Sequence, residues 1–140
     1  MSTQGAREPV ILVIEDYGDS REMLKLLLES LGYRVLAAAN GHEALALAAS
    51  DHLDLILTDF GLPDMDGLRV VRRLRKLNER LRTVPIIMLT ALESDAYYPA
   101  LRAECTDVLK KPADFETLQA KIGDLLRESR DCREDYKNAV

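Results

Sequence analysis

Residues 53–67, LDLILTDFGLPDMDG, carry an apolar segment into a carboxylate and then into a turn, an order that restricts the fold more than any other stretch. Leu53, Leu55, Ile56 and Leu57 form a nearly continuous apolar run. A strand covered on both faces of a parallel sheet needs such a run, whereas a half-exposed strand would alternate. The run stops at Asp59, which places that side chain at the carboxyl end of the strand, where open α/β sheets bind their ligands. Pro63, Asp66 and Gly67 then break the chain and start a helix.

The same grammar recurs along the chain. Residues 10–14 (VILVI) form a first buried strand that ends on two adjacent acids, Glu15 and Asp16. Asp19 followed by Glu22 resembles a capping box, and Leu24, Leu27, Leu28 and Leu31 recur at helical spacing up to Gly32. Residues 33–39 predict a second strand; Asn40 with Glu43 then opens a second helix whose Ala44, Leu45 and Ala48 pack closely. A third helix from about Asp66 points Leu68, Val71 and Leu74 inward. Residues 85–90 (PIIMLT) are a fourth apolar strand closing on Thr90. Pro99 falls inside the expected fourth helix, 94–103, and its missing N–H predicts a late, kinked or short helix. Residues 107–110 make a fifth strand that Pro112 ends, and Asp114 caps a last helix with Leu118, Ile122 and Leu125 on one face. Strands alternating with helices imply a five-stranded parallel sheet with right-handed crossovers, an α/β/α sandwich of three layers. The organisation reads as a polar lead (1–9), one folded unit (10–128) and a charged tail (129–140).

Composition sets the outer limits. With 140 residues, 47% apolar and 31% charged, the chain suits one domain with a substantial core. Its apolar runs are too short to span a bilayer and its first residues lack a signal-peptide core, so a cytoplasmic protein is expected. Cys105 and Cys132 have no metal-ligand spacing and read as reduced thiols. A net charge of −5 argues against nucleic acid as a direct partner. His42 and His52 stand far in sequence from the acids and are not read as metal ligands.

In such a sheet the ends of the first, third, fourth and fifth strands meet at one edge, gathering Glu15, Asp16, Asp59, Thr90 and Lys111. Three carboxylates in a small space raise a pKa or bind a cation. Magnesium suits two or three carboxylates completed by water. A carboxylate beside magnesium, with an ammonium and a hydroxyl opposite, is what a phosphoryl acceptor requires, because phosphoryl transfer is catalysed mainly by positioning and charge neutralisation. Asp59 is the expected nucleophile and carrier of an acyl phosphate. Lys111 would neutralise its oxygens, and the Thr90 hydroxyl and the Ala91 N–H would hydrogen-bond it.

The acidic pair Glu15-Asp16, the block Asp59-Phe-Gly-Leu-Pro-Asp-Met-Asp-Gly67, Thr90-Ala91 and Lys111-Pro112 stand in an order and spacing that resembles a response-regulator receiver domain of two-component signalling, similar to the chemotaxis regulators. The resemblance covers about residues 10–127. It implies the flavodoxin-like fold with strand order 2-1-3-4-5 and a phosphoprotein that does no catalysis beyond assisting its own phosphorylation and dephosphorylation. By position it makes Asp59 the phosphoacceptor, Asp16 a direct metal ligand, Glu15 a ligand mainly through water, and Gly61 the donor of a backbone carbonyl to Mg2+. Thr90 becomes the switch hydroxyl and Lys111, rather than Lys110, the phosphate-binding lysine. It implies a sensor histidine kinase or histidine phosphotransfer protein as phosphate donor. The output would pass to a downstream protein or to a further output domain, with no direct nucleic-acid or membrane contact and with the chain a monomer or weak dimer.

Two positions depart from the family pattern. The aromatic residue usual three positions before the lysine is here Val108, and Tyr97-Tyr98-Pro99 falls in the helix that commonly forms the dimer or partner face. A magnesium phosphohydrolase of the haloacid-dehalogenase type also forms an aspartyl phosphate, but it wants a second acid two residues after the nucleophile, where Gly61 stands. A receiver-fold scaffold without phosphorylation would not need the full acid, hydroxyl and lysine set. Arg69, Arg72, Arg73, Arg75, Lys76, Arg80 and Arg82 crowd residues 69–82, either as a solvated helix face or as a docking patch for an acidic partner.

Overall fold

A computed structural model describes residues 7–91 and 95–139. Five parallel strands, β1 (Val10–Ile14), β2 (Arg34–Ala38), β3 (Leu55–Asp59), β4 (Ile86–Thr90) and β5 (Asp107–Lys110), lie in the order β2-β1-β3-β4-β5. Helices α1 (Gly18–Ser30), α2 (Gly41–Ser50), α3 (Gly67–Leu77), α4 (Tyr98–Glu104) and α5 (Phe115–Ala139) connect and follow them, with 3-10 turns at Arg80–Arg82 and Asp95–Tyr97. This is the three-layer arrangement that the apolar runs imply. β1, β3 and β4 are buried along their whole length, and each Leu or Ile fully withdrawn from water there contributes about 1.5–3 kcal/mol.

The alternating side chains of each strand feed two cores. Leu12, Ile14, Ile56, Ile86 and Met88 meet Ala44 and Ala48 of α2, Val71 and Leu74 of α3, and Leu101 of α4. Ile11, Val13, Leu55, Leu57 and Ile87 meet Leu28 of α1 and Leu118 and Ile122 of α5. Thus α1 and α5 cover one face and α2, α3 and α4 the other.

Local signals explain most boundaries. The Asn40 side chain accepts the Glu43 N–H at 2.9 Å and donates to the Glu43 carboxylate at 3.1 Å, a reciprocal cap. Asp66 caps α3 through the Arg69 N–H at 2.9 Å and Asp114 caps α5 through the Thr117 N–H at 2.7 Å. The expected cap at Asp19 does not form: α1 starts at Gly18 behind an extended Tyr17, and Asp19 instead accepts from the Tyr17 hydroxyl at 3.3 Å. Leu31, expected on the inner face of α1, follows the helix and is 39% exposed. Pro99 acts as expected. α4 begins late, with proline in its first turn, and is seven residues long; the Ser94 end of that expectation lies outside the described residues. The backbone of the charged tail continues α5 to Ala139.

At the edge of the sheet opposite the acids, buried Asp54 ties the chain together. It accepts the Val10 N–H at 2.8 Å, both Arg7 guanidinium nitrogens at 3.1 Å, and contacts His52 Nε2 at 3.2 Å. Burial pushes its pKa up, but the Val10 N–H and Arg7 outweigh that and leave it below the ordinary aspartate value. A carboxyl with a depressed folded pKa adds stability above its unfolded pKa and loses it as pH falls through the folded value. Asp54→Asn is therefore expected to lower unfolding free energy at neutral pH by about 1.5–3 kcal/mol. Its loss of stability below about pH 4 should also be shallower than the wild type's. Urea melts across that range check both, and parallel curves for the two proteins would contradict the assignment.

Candidate functional site

The carboxyl ends of β1 and β3 are adjacent because the two strands pair directly, Ile14 opposite Thr58. One residue beyond that register, Glu15 and Asp59 come side by side. The Glu15 N–H is held by Ala38 O at 3.0 Å, and the Phe60 N–H by Leu89 O at 2.9 Å, so backbone ladders fix both acids. Oxygens of Glu15, Asp16 and Asp59 lie within 4.8 Å of one another. Glu15 and Asp59 are buried, at 5% and 4% exposure, and Asp16 is exposed. β5 brings in the cation: its end is tied to β4 by the Lys111 N–H donating to Thr90 O at 2.8 Å. Lys111 Nζ sits 2.6 Å from Asp59 Oδ1 and 3.7 Å from Glu15 Oε1.

These distances place Glu15, Asp16, Asp59 and Lys111 in one hollow. Thr90 ends β4, buried, opposite Lys110 in the β4–β5 ladder, and exposed Ala91 follows it. Gly61 lies two residues past Asp59 on the same rim, exposed, with nothing within 4 Å of where a Cβ would be. His42 and His52 stand apart from this cluster, each against an aspartate of its own, Asp64 and Asp54.

One ammonium cannot satisfy three carboxylates. Burial pushes Asp59 up to about 7, and its hydrogen bond with Glu15 adds to the rise against the pull of Lys111. Glu15 ends below its usual range: burial raises it, but its hydrogen bonds with Asp59 and the Tyr17 N–H and the charge of Lys111 outweigh burial. The opposite directions of the two shifts mark two buried acids crowded against one ammonium. A hard divalent cation relieves the same repulsion, and a set of carboxylate oxygens opening toward solvent at Asp16 fits magnesium, which retains several waters. Lys111 is held protonated: burial works against it, but its hydrogen bond to Asp59 and the neighbouring acids prevail.

Several supporting residues carried no signal in the sequence. Arg21 reaches back from α1 to donate to Glu15 O at 2.9 Å and Asp16 O at 3.3 Å, fixing the acidic pair from behind. Asp64 accepts the Gly41 and His42 N–H groups, each at 2.9 Å, and pairs with His42 Nδ1 at 2.5 Å. Those bonds hold its carboxyl well below the usual range and fasten the loop after Asp59 to the start of α2. Phe60 packs on Tyr97 with ring centroids 5.2 Å apart, so the residue following Asp59 touches the segment before α4. Val108 is buried in the core beneath α2, α3 and α4, and Lys110 lies over the Tyr98 ring at 5.6 Å. Arg75, grouped with the outer basic face in the sequence, turns inward. Its guanidinium donates to Leu81 O, Val84 O and Glu104 O at 3.1, 2.5 and 3.0 Å.

The family model of the response regulator receiver domain matches residues 11–123. The response regulator MprA of Mycolicibacterium vanbaalenii is 42% identical over 118 residues, 84% of this chain and 50% of that protein. Among solved structures, a CheY-like response regulator receiver domain protein from Methanospirillum hungatei superposes with a TM-score of 0.83 at 29% identity, covering 89% of this chain and 98% of the other. The receiver domain of the sensor histidine kinase PA1611 from Pseudomonas aeruginosa has a TM-score of 0.77 at 35% identity, covering 86% and 98%. It was solved with a magnesium ion in its active site cleft. The chain spans half or less of the length of the curated relatives it matches.

Proposed function

Given that the chain belongs to the response regulator receiver domain family, we propose that it is the phosphorylation-dependent switch of a two-component or phosphorelay system, with Asp59 as acceptor. The observation that carries this reading is the hollow itself: three carboxylates within 4.8 Å and one ammonium 2.6 Å from Asp59. The Asp59 oxygen attacks phosphorus of a phosphohistidine. The P–N bond breaks, its electron pair returns to the imidazole, and an acyl phosphate remains on Asp59. Glu15, Asp16, Asp59 and the Gly61 carbonyl would hold Mg2+, which supplies charge neutralisation for the transferring oxygens when bound. Lys111 exchanges its contact with Asp59 for one with the new phosphate. The Thr90 hydroxyl and Ala91 N–H bond the remaining oxygens and draw the β4 end toward them. With Val108 in place of an aromatic, that displacement travels through the Thr90 loop and Phe60–Tyr97 to α4, biasing two conformations already present.

A histidine kinase or phosphotransfer protein is the donor, and the output passes to a protein partner or to a further domain of a longer chain. The unit that performs the switch is residues 10–128. No helix of the described residues is long and apolar enough to cross a membrane. Incubation with magnesium and acetyl phosphate, followed by intact mass measurement, tests the proposal. A retained phosphate adduct on the peptide containing Asp59 supports the switch. Continuous release of phosphate with no adduct would mean a hydrolase, and no reaction a scaffold.

Lys111→Ala should bind magnesium as well as or better than wild type, since a competing cation is removed. The spectral change that phosphorylation produces around Thr90 should shrink severalfold. Amide spectra of both proteins, titrated with magnesium and then acetyl phosphate, measure both quantities. A full-sized response in the variant would assign the phosphate contact to Lys110 or another cation.

A further inference from the structure

All the charged residues on the outer face of α3 are cations. The helix sequence, GLRVVRRLRKL, holds five basic residues and no acid, in a chain whose net charge is −5. Arg75 is committed to carbonyls beneath the helix, Arg82 pairs with Glu79 at 2.5 Å, and Arg80 meets His52. Arg69, Arg72, Arg73 and Lys76 remain, all exposed and with no carboxylate partner among the described residues. Their spacings of three, four and seven put all four within one arc of the helix surface, along about 10 Å of its axis.

A face that only needed water would mix signs. Here each pair three or four apart is like-charged, which opposes the helix, and Arg69 in the first turn also opposes the dipole. The opposite helix face compensates through buried Leu68, Val70, Val71 and Leu74. Leu77, 39% exposed, borders the cationic stripe at its far end, an apolar contact that a polypeptide uses and a polyphosphate does not. No aromatic residue interrupts the stripe to stack on a base.

We infer that the exposed face of α3 docks an acidic helix of a partner protein. The partner presents Glu or Asp at spacings of three to four and seven, so that each carboxylate meets one of Arg69, Arg72, Arg73 and Lys76. Three of the four cations are arginines, whose forks bind carboxylates in two places at once.

The test uses three labelled probes with the full chain: a helical peptide with glutamates on one face, its scrambled isomer of equal charge, and a mixed-sequence DNA duplex. Fluorescence anisotropy should show the patterned peptide binding at least about tenfold more tightly than the other two at the same salt. Arg72→Glu with Lys76→Glu should abolish that preference, Arg72→Gln with Lys76→Gln should weaken it severalfold, and Arg34→Glu, at the exposed first residue of β2, should leave it intact. Equal binding of patterned and scrambled peptides, tighter binding of DNA, no binding at all, or indifference to the α3 variants would each overturn the inference.

Discussion

Asp59→Asn is expected to abolish phosphate uptake completely while leaving a protein at least as resistant to urea as the wild type. Both halves follow from the same geometry. The substitution replaces the carboxylate oxygen proposed to attack phosphorus with an amide of equal shape, so the proposed nucleophile disappears and the packing stays. It also removes one of two buried acids in contact, and the new amide N–H can donate to Glu15 where a second carboxylate repelled it. Lys111 keeps Glu15 as a counterion at 3.7 Å. The outcome is read from intact mass after incubation with magnesium and acetyl phosphate, beside denaturation curves for both proteins. An adduct of undiminished size, mapped to another residue, would remove Asp59 from the role assigned to it.

The position of Asp59 at the end of β3 was legible because of where the strands stop. β1, β3 and β4 are covered on both faces, so their sequences are mainly apolar without alternation, and the charged or hydroxylic residue at the end of each run marks the sheet's edge, with Thr58 a buried polar residue just inside the end of β3. Glu15, Asp59 and Thr90 could therefore be placed from the order of apolar and polar residues. The predicted second strand, 33–39, was one residue too long at each end. Tyr33 follows Gly32, whose φ of 96° belongs to the turn, and Ala39 precedes the cap of α2.

What the sequence hid depends on partners distant in the chain. Arg75 sits among residues that stay on the surface, and only the fold brings Glu104 O within reach, 29 residues away. Asp64 looks like one more loop acid until α2 arrives with two unpaired N–H groups 22 and 23 residues back in sequence. Arg21 is hidden for a subtler reason. The expected capping box at Asp19 and Glu22 gave α1 an ordinary start, whereas the carbonyls of Glu15 and Asp16 are satisfied by an arginine inside the helix. For Arg75 and Asp64 a long-range hydrogen bond does the positioning, and for Arg21 one that spans five or six residues; none has a periodic signature.

Gly67 provides a second large effect, and it concerns space rather than backbone freedom. Its N–H donates to Phe60 O at 2.6 Å, closing the loop that leaves Asp59. A Cβ there would lie 2.6 Å from the Asp59 carbonyl oxygen, 2.8 Å from Phe60 Cα and 3.0 Å from Met88 Cε. The methionine end can move. The other two atoms belong to backbone fixed by the ladder with β4 and by the Phe60 N–H bond to Leu89 O. Gly67→Ala must therefore push α3 away or displace the end of β3. The overpacking is expected to cost about 1–3 kcal/mol. Displacing the acceptor should slow phosphorylation as well, by about 100-fold for a shift near 1 Å. Gly61→Ala is the matched comparison from the same loop: its Cβ meets nothing within 4 Å, the Gly61 carbonyl is retained, and stability should change little. Thermal melts with phosphorylation rates for the two variants decide the matter. If Gly67→Ala melts and accepts phosphate as the wild type does, the start of α3 does not set the position of Asp59.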